Sequence, residues 1–265
     1  MRTVDAFTDN AFGGNPAALV VLERFPADAW MQSLATEMNL SETAFVVPVD
    51  SPDADFELRW FTPAAEVDLC GHATLGTAHC LFRDGVAGPI RFATRSGALT
   101  VSEADGVLGM DFPARPAVQI DPPDGLVDAL GVKPRWTGRG GTNDLLCELA
   151  DEAEVRALRP DIDALRGIDA RGVIVTAAAG TGRGYDFVSR FFAPNVGVAE
   201  DPVTGSAHTV LAPYWTDLLG RNPLTGFQVS RRGGRIGVEV IGDRVVLSGR
   251  AVLIVDGVLS GEAMA

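Results

Sequence analysis

Two short runs bring together side chains that could move a proton. The first reads Glu66-Val67-Asp68-Leu69-Cys70-Gly71-His72-Ala73. The second reads Glu200-Asp201-Pro202-Val203-Thr204-Gly205-Ser206-Ala207-His208. In each, a glycine opens an apolar stretch with helical spacing, Gly71 to about Arg83 and Gly205 to about Gly220. A helix N-terminus presents free N–H groups and about half a positive charge, and glycine lets a ligand approach that backbone closely. Two such starts, facing each other across a cleft, would clamp a carboxylate.

The groups beside the two glycines differ, as an asymmetric site requires. His72, in the first turn, is expected to be held neutral by the helix dipole. Cys70 reads either as a thiol activated by the helix end or as packing. Thr204 stands at the matching place, which excludes a symmetric thiol pair. Ser206, with His72 or His208 as base and Asp201 as orienter, raises a hydrolase. However, the run lacks the G-x-S-x-G pattern and no strand directly precedes it. His79, seven residues beyond His72, reads as a structural histidine. Glu42, in Leu40-Ser41-Glu42-Thr43, lies at the mouth of an apolar strand; taken alone it reads as an exposed loop acid.

The elements that must position these groups occur twice. Arg59-Trp60-Phe61-Thr62-Pro63 matches Arg190-Phe191-Phe192-Ala193-Pro194, and Gly71-His72-Ala73 matches Gly205-Ser206-Ala207, at offsets of 131 to 134 residues. A repeat of that length implies a duplicated half rather than a solenoid. The halves are expected at 1–115 and 116–265, divided in the proline-rich run from Pro113 to Pro123, with the last residues able to pack on the first half. Each half reads as several strands and one helix that is apolar all round, which predicts an α+β fold with a sheet curved around that helix. A further helix is predicted from Pro26 to Asn39 with Asp28 as its N-cap. Pro213, inside the second central helix, should kink or divide it. Gly180-Thr181-Gly182-Arg183-Gly184 is followed by a strand pattern, so it predicts a hairpin turn rather than a nucleotide loop.

Bulk properties exclude several classes. The net charge of -13 repels a phosphate backbone, so no nucleic-acid partner is expected. The three cysteines, Cys70, Cys80 and Cys147, make neither a disulfide framework nor a paired metal motif, so no metal is expected. No secretory leader and no apolar stretch of membrane length is found, and a cytoplasmic location is expected.

At these residues the chain resembles the phenazine-biosynthesis (PhzF-like) isomerase family. Phe61-Thr62-Pro63 with Glu66 to Leu75 is similar to the family's first signature, and Glu200 to Ala207 to its second; Gly14-Asn15-Pro16-Ala17 and Asn39 to Thr43 also match. The resemblance runs from about residue 4 to 257. It implies the diaminopimelate epimerase-like fold: two pseudo-symmetric lobes, each a mostly antiparallel sheet around a central helix, with the site between them. It implies a cofactor-independent isomerase in which Glu42 is the general acid/base, moving a proton between carbons of a small, cyclic, carboxylate-bearing substrate. By the same resemblance His72 and Asp201 are catalytic, while Gly71, Gly205, Ser206 and Asn15 bind substrate. A homodimer is implied as well. Two alternatives stay open: an amino-acid racemase or epimerase using Cys70, and a non-catalytic small-molecule binder on the same fold.

Overall fold

Apolar runs bounded by turn formers become strands, and the two glycine-led stretches become helices, in the computed structural model, which describes residues 1–141 and 143–264. The chain divides into two units: Met1–Asp111 with the residues from Ser248 onward, and Phe112–Leu247. The first contains β1 (Arg2–Ala6), β2 (Asn15–Val21), α1 (Asp28–Met38), β3 (Glu42–Pro48), β4 (Phe56–Phe61), β5 (Glu66–Val67), α2 (Gly71–Arg83), β6 (Ile90–Thr94), β7 (Gly97–Ala104) and most of β8 (Val107–Pro113). The second contains β9 (Val118–Gln119), α3 (Leu126–Leu130), β10 (Trp136–Arg139), β11 (Asp144–Glu148), α4 (Glu152–Ala157), α5 (Ile162–Leu165), β12 (Gly172–Ala178), β13 (Phe187–Ala193), β14 (Val198–Asp201), α6 (Gly205–Leu219), β15 (Leu224–Gln228), β16 (Gly234–Ile241) and most of β17 (Arg244–Gly249). The closing strand β18 (Ala251–Asp256) pairs with β1 in the first unit.

The repeat read in the sequence is a repeat of strand pairing. In the first unit β2 runs parallel to β3, β3 antiparallel to β4, β4 parallel to β6, and β6 antiparallel to β7. In the second, β11, β12, β13, β15 and β16 follow the same order and the same senses. The registers agree too: Thr43 faces Phe61 in one unit and Val173 faces Phe192 in the other. Arg59 therefore corresponds to Arg190, and Glu42 to Gly172.

Each sheet is buried on both faces, which explains why its central strands are apolar without alternation. One face of the first sheet holds α2, which packs on β1, β2, β3 and β18. The other face is covered by Met31 and Ala35 of α1 against Val20, Phe45 and Phe61. In the second unit α6 packs on β11, β15 and β16. Leu126, Leu130, Val155 and Leu165 of the short helices close the opposite face against Val173, Val175 and Phe192. Among the described residues, no helix is long and apolar enough to cross a membrane.

Two local expectations are corrected. Asp28 does not cap α1: Ala27 is the N-cap, and Asp28 is the first helical residue, accepting from Arg59 Nη1 at 2.9 Å. Pro213 does not divide α6, which runs unbroken from Gly205 to Leu219. The carbonyl a proline leaves without its helical donor is that of Thr209, and the Arg115 backbone N–H takes it at 3.0 Å. Gly180 to Gly184 forms the turn between the antiparallel strands β12 and β13, as predicted.

The helix-to-sheet contacts are close where glycine permits. A Cβ on Gly76 would stand 3.1 Å from Val4 Cγ1, and one on Gly226 would stand 2.6 Å from the Phe187 ring and 3.1 Å from His208 Nε2. Gly76→Ala gains about 1 kcal/mol of helix propensity against a small shift of Val4, so its stability is expected within about 1 kcal/mol of wild type. Gly226→Ala meets two fixed rings and is expected to cost about 2 kcal/mol. Urea unfolding of the two variants checks this ranking; equal stabilities would contradict the packing.

Candidate active site

The first unit draws its site residues from three places. Glu42 is the first residue of β3, reached from α1 through Asn39, whose left-handed backbone ends the helix. Cys70 precedes α2 in an extended conformation, and His72 lies in its first turn. Asn15 opens β2 and is fully buried; it accepts from Ser41 Oγ at 3.0 Å, which ties β2 to the residue before Glu42.

Folding brings Glu42, Cys70 and His72 together. His72 Nε2 is 3.1 Å from Glu42 Oε2, in ion-pair range. That carboxylate oxygen is buried and makes no aligned hydrogen bond. On the other side Cys70 Sγ lies 3.5 Å from His72 Nδ1. One donor atom from each of the three lies within 4.8 Å of the others, close enough to enclose a single cation; among the described residues no other such cluster of three occurs.

The expected neutral His72 is overturned. Burial works against its charged form, but the Cys70 sulfur and the Glu42 carboxylate outweigh burial, and the imidazole pKa is raised well above its ordinary value. The Cys70 thiol is itself pushed up to about 11, by burial first and by Glu42 second, so it keeps its proton at neutral pH. The carboxylate is thus the charge to which His72 responds, and at 3.1 Å it dominates the weaker field of a helix end. Cys70 is only 6% exposed, in keeping with the packing reading. His79 is half-buried on the same helix, and burial followed by Arg83 lowers its pKa.

In the second unit the matching positions are engaged differently. The Thr204 hydroxyl donates to Asp201 Oδ2 in a short contact, and the Thr204 N–H donates to Gln228 Oε1 at 2.9 Å. Gln228, fully buried on β15, returns its amide N–H groups to the Asp201 carbonyl at 2.7 Å and to Thr204 Oγ1 at 3.1 Å. Ser206 Oγ accepts from Arg171 Nη2 at 3.0 Å, and Arg171 also grips the buried Asp144 with two bonds of 2.9 and 2.5 Å. Glu200 is held by Arg190. Sequence reasoning missed Gln228, Arg171 and Asp144. Their partners lie 24 to 35 residues away in sequence, and no local motif announces them. The place of Glu42 is taken here by Gly172, where a Cβ would meet the Phe191 ring at 2.3 Å.

Neither central helix has an oxygen cap: Thr204 turns its hydroxyl to Asp201, and Cys70 offers only a sulfur. The short helices α4 and α5 are capped by Asp151 and Asp161. The starts at Gly71 and Gly205 thus lack the carboxylate caps that α4 and α5 carry. His208, fully buried in α6, donates from Nδ1 to the Thr204 carbonyl at 2.8 Å, which leaves Nε2 unprotonated and without a partner. It is structural.

The chain matches the family model described as "Phenazine biosynthesis-like protein" over residues 4–257. It is 50% identical over 258 residues to an uncharacterized isomerase of Pseudomonas aeruginosa, covering 97% of this chain and 96% of the relative. A crystal structure of a PhzF family phenazine biosynthesis protein from Enterococcus faecalis superposes with a TM-score of 0.90 at 44% identity, over 96% of each chain. A hydroxyproline epimerase from Agrobacterium vitis, crystallised with trans-4-hydroxy-L-proline, matches at TM-score 0.61 and 12% identity, over 96% of this chain and 90% of that one. The last likeness concerns the fold alone, an α+β epimerase-like fold.

Burial lowers the His208 pKa from 6.5 to about 4, the Thr204 carbonyl opposing. The unfolded chain therefore binds the extra proton first as pH falls. This stability is complete above pH 6.5 and lost towards pH 4, by about 3 kcal/mol. Urea midpoints for wild type and His208→Asn between pH 7 and pH 4 check this: the variant should show a shallower acid slope.

Proposed function

Because the chain belongs to the phenazine biosynthesis-like family and is an isomerase, we propose that it moves a proton between carbons of a small carboxylate-bearing, cyclic substrate, with Glu42 as general acid/base. The observation that carries this reading is the Glu42 carboxylate oxygen, buried, without an aligned hydrogen bond, and 3.1 Å from His72 Nε2. Such an oxygen is free to take a proton from carbon. The charged His72 lies beside it, and its N–H groups can stabilise negative charge that develops on the substrate. Glu42 then returns the proton at a second carbon. Atoms and charge balance without a redox partner.

The uncapped starts at Gly71 and Gly205, with Ser206 and Asn15, are the substrate-binding groups of this proposal, and Asp201 is its third polar catalytic residue. Arg171 and Gln228 hold Ser206, Thr204 and the Asp201 carbonyl in place. A racemase or epimerase acting through Cys70 is the second reading, favoured by the 3.5 Å approach of its sulfur to His72 Nδ1. The Thr204 hydroxyl at the matching position is donated to Asp201, and the Cys70 thiol is pushed up to about 11; both weigh against a two-base thiol mechanism.

Solvent deuterium incorporation, followed by NMR over a panel of cyclic carboxylates and α-amino acids, tests the proposal. Glu42→Gln should fold and lose about 10²- to 10⁴-fold in exchange rate. Cys70→Ala should stay within about threefold of wild type, since a packing thiol makes no contact specific to the transition state. Unchanged exchange in the glutamine variant sinks the assignment, and a collapse in the alanine variant favours the thiol reading.

A further inference from the structure

Two ion pairs outside the proposed chemistry repeat with the same atoms. Arg59 donates from Nε to Glu66 Oε1 at 2.7 Å and from Nη2 to Glu66 Oε2 at 2.8 Å. Arg190 donates from Nε to Glu200 Oε1 at 2.7 Å and from Nη2 to Glu200 Oε2 at 3.0 Å. Both are two-pronged, charge-assisted pairs, the strongest class of side-chain hydrogen bond. Both are shielded: side-chain exposures are 14% and 12% for the first pair and 10% and 27% for the second.

Their positions relative to the helix starts are informative. Arginine and glutamate are seven residues apart in the first unit and ten in the second. Glutamate to the helix-opening glycine is five residues in both, Glu66 to Gly71 and Glu200 to Gly205. The duplicated halves have diverged in the length of the loop inside the fork. They agree in the distance from fork to helix.

The backbone alone holds these segments weakly. The strand β5 pairs with β4 at Trp60–Val67 and Phe61–Glu66, and β14 pairs with β13 at Phe191–Asp201 and Ala193–Val198 with an irregularity between. Each arginine also anchors to a helix on the far side of its sheet, but through unrelated partners. Arg59 Nη1 donates to Asp28 at the start of α1, 2.9 Å, and Arg190 Nη1 donates to the Leu158 carbonyl just after α4, 2.7 Å. Different anchors serving one fork geometry point to the fork as the feature each unit needs.

We propose that Glu66 and Glu200, each gripped by its arginine, are positioning residues that fix the segment entering the central helix and so set where the helix-start amides of Gly71 and Gly205 stand. Their importance for activity rests on the reading of those amides as the groups that bind the substrate carboxylate. Their effect on the amides does not.

The test uses full-length Glu66→Gln, Arg59→Lys, Glu200→Gln and Arg190→Lys. Amide hydrogen exchange by mass spectrometry should rise about tenfold in the peptides that hold residues 68–75 or 202–209 of the altered unit, with the C-terminal half of its helix and its other strands unchanged. Lysine keeps the charge but loses the fork, so each lysine variant should raise exchange in the same peptides as its glutamine counterpart, less so for Arg59→Lys because Arg95 still pairs with Glu66 at 2.8 Å. For whichever compound of the panel exchanges with solvent, KM should rise about tenfold with kcat within about threefold. Wild-type exchange at the helix start, a rise spread evenly over the unit, or full rescue by lysine would each overturn the proposal. Should the wild type exchange protons on no compound, the functional reading fails, and the amide pattern alone decides this one.

Discussion

Each unit depends on one arrangement: an apolar helix enclosed by its own sheet, entered through a residue that does not cap it. A helix without a polar face is stable only when surrounded. Residues from His72 to Ala78 in α2, and from Ala207 to Ala212 in α6, are accordingly buried. The uncapped backbone groups of such a helix lie at its ends. At the N-terminal ends the capping position is filled by Cys70, a poor acceptor, and by Thr204, whose hydroxyl is turned to Asp201. A capping side chain contributes about 1 kcal/mol to a helix. The two helices most central to the fold forgo it, while the peripheral α4 and α5 use aspartates. Burial of the helix body makes that loss tolerable.

Symmetry of scaffold then meets asymmetry of chemistry. The pairing order and register of the two sheets coincide, so the place of each side chain can be compared. Where one unit opens its second parallel strand with Glu42, the other has Gly172, and the Phe191 ring fills the space a side chain would need. Where one unit has Ser41 bonded to Asn15, the other has Arg171 bonded to Asp144. His72 faces a carboxylate, whereas Ser206 faces a guanidinium. One half thus gathers a carboxylate, an imidazole and a thiol, and the other a guanidinium, an amide and hydroxyls. A duplicated fold supplies two helix starts, and the side chains beside them differ at each compared position.

The fold was legible because the signals that specify it are local and repeated. Glycine-led apolar runs, turn glycines and the doubled Arg-aromatic-Phe-x-Pro pattern marked helices, hairpins and the duplication. Legibility fell where a property depends on a partner distant in sequence. The continuity of α6 past Pro213 depends on the Arg115 N–H, which no helix rule contains. Asp28 looks like a cap until Arg59 draws its carboxylate away. Gln228 and Arg171 are ordinary residues in the sequence, and become part of the second unit's helix start only through strands that bring them there. Glu42 was visible through its motif alone, since a single acid at a strand mouth has no distinctive local signature.

The two buried histidines near the helix starts show why the charge state of a site follows its neighbours and not its element. His72 and His208 both lie in the first turns of apolar helices, and both are almost wholly enclosed. A helix dipole and burial act on both in the same direction, towards the neutral ring. They part because Glu42 reaches one of them and a backbone carbonyl reaches the other. At His72 the Cys70 sulfur and the Glu42 carboxylate together outweigh the cost of burying charge; at His208 a carbonyl brings only a dipole, and the cost prevails. Cys70 and Glu42 thus hold a buried imidazole in its charged form within a single unit of the fold.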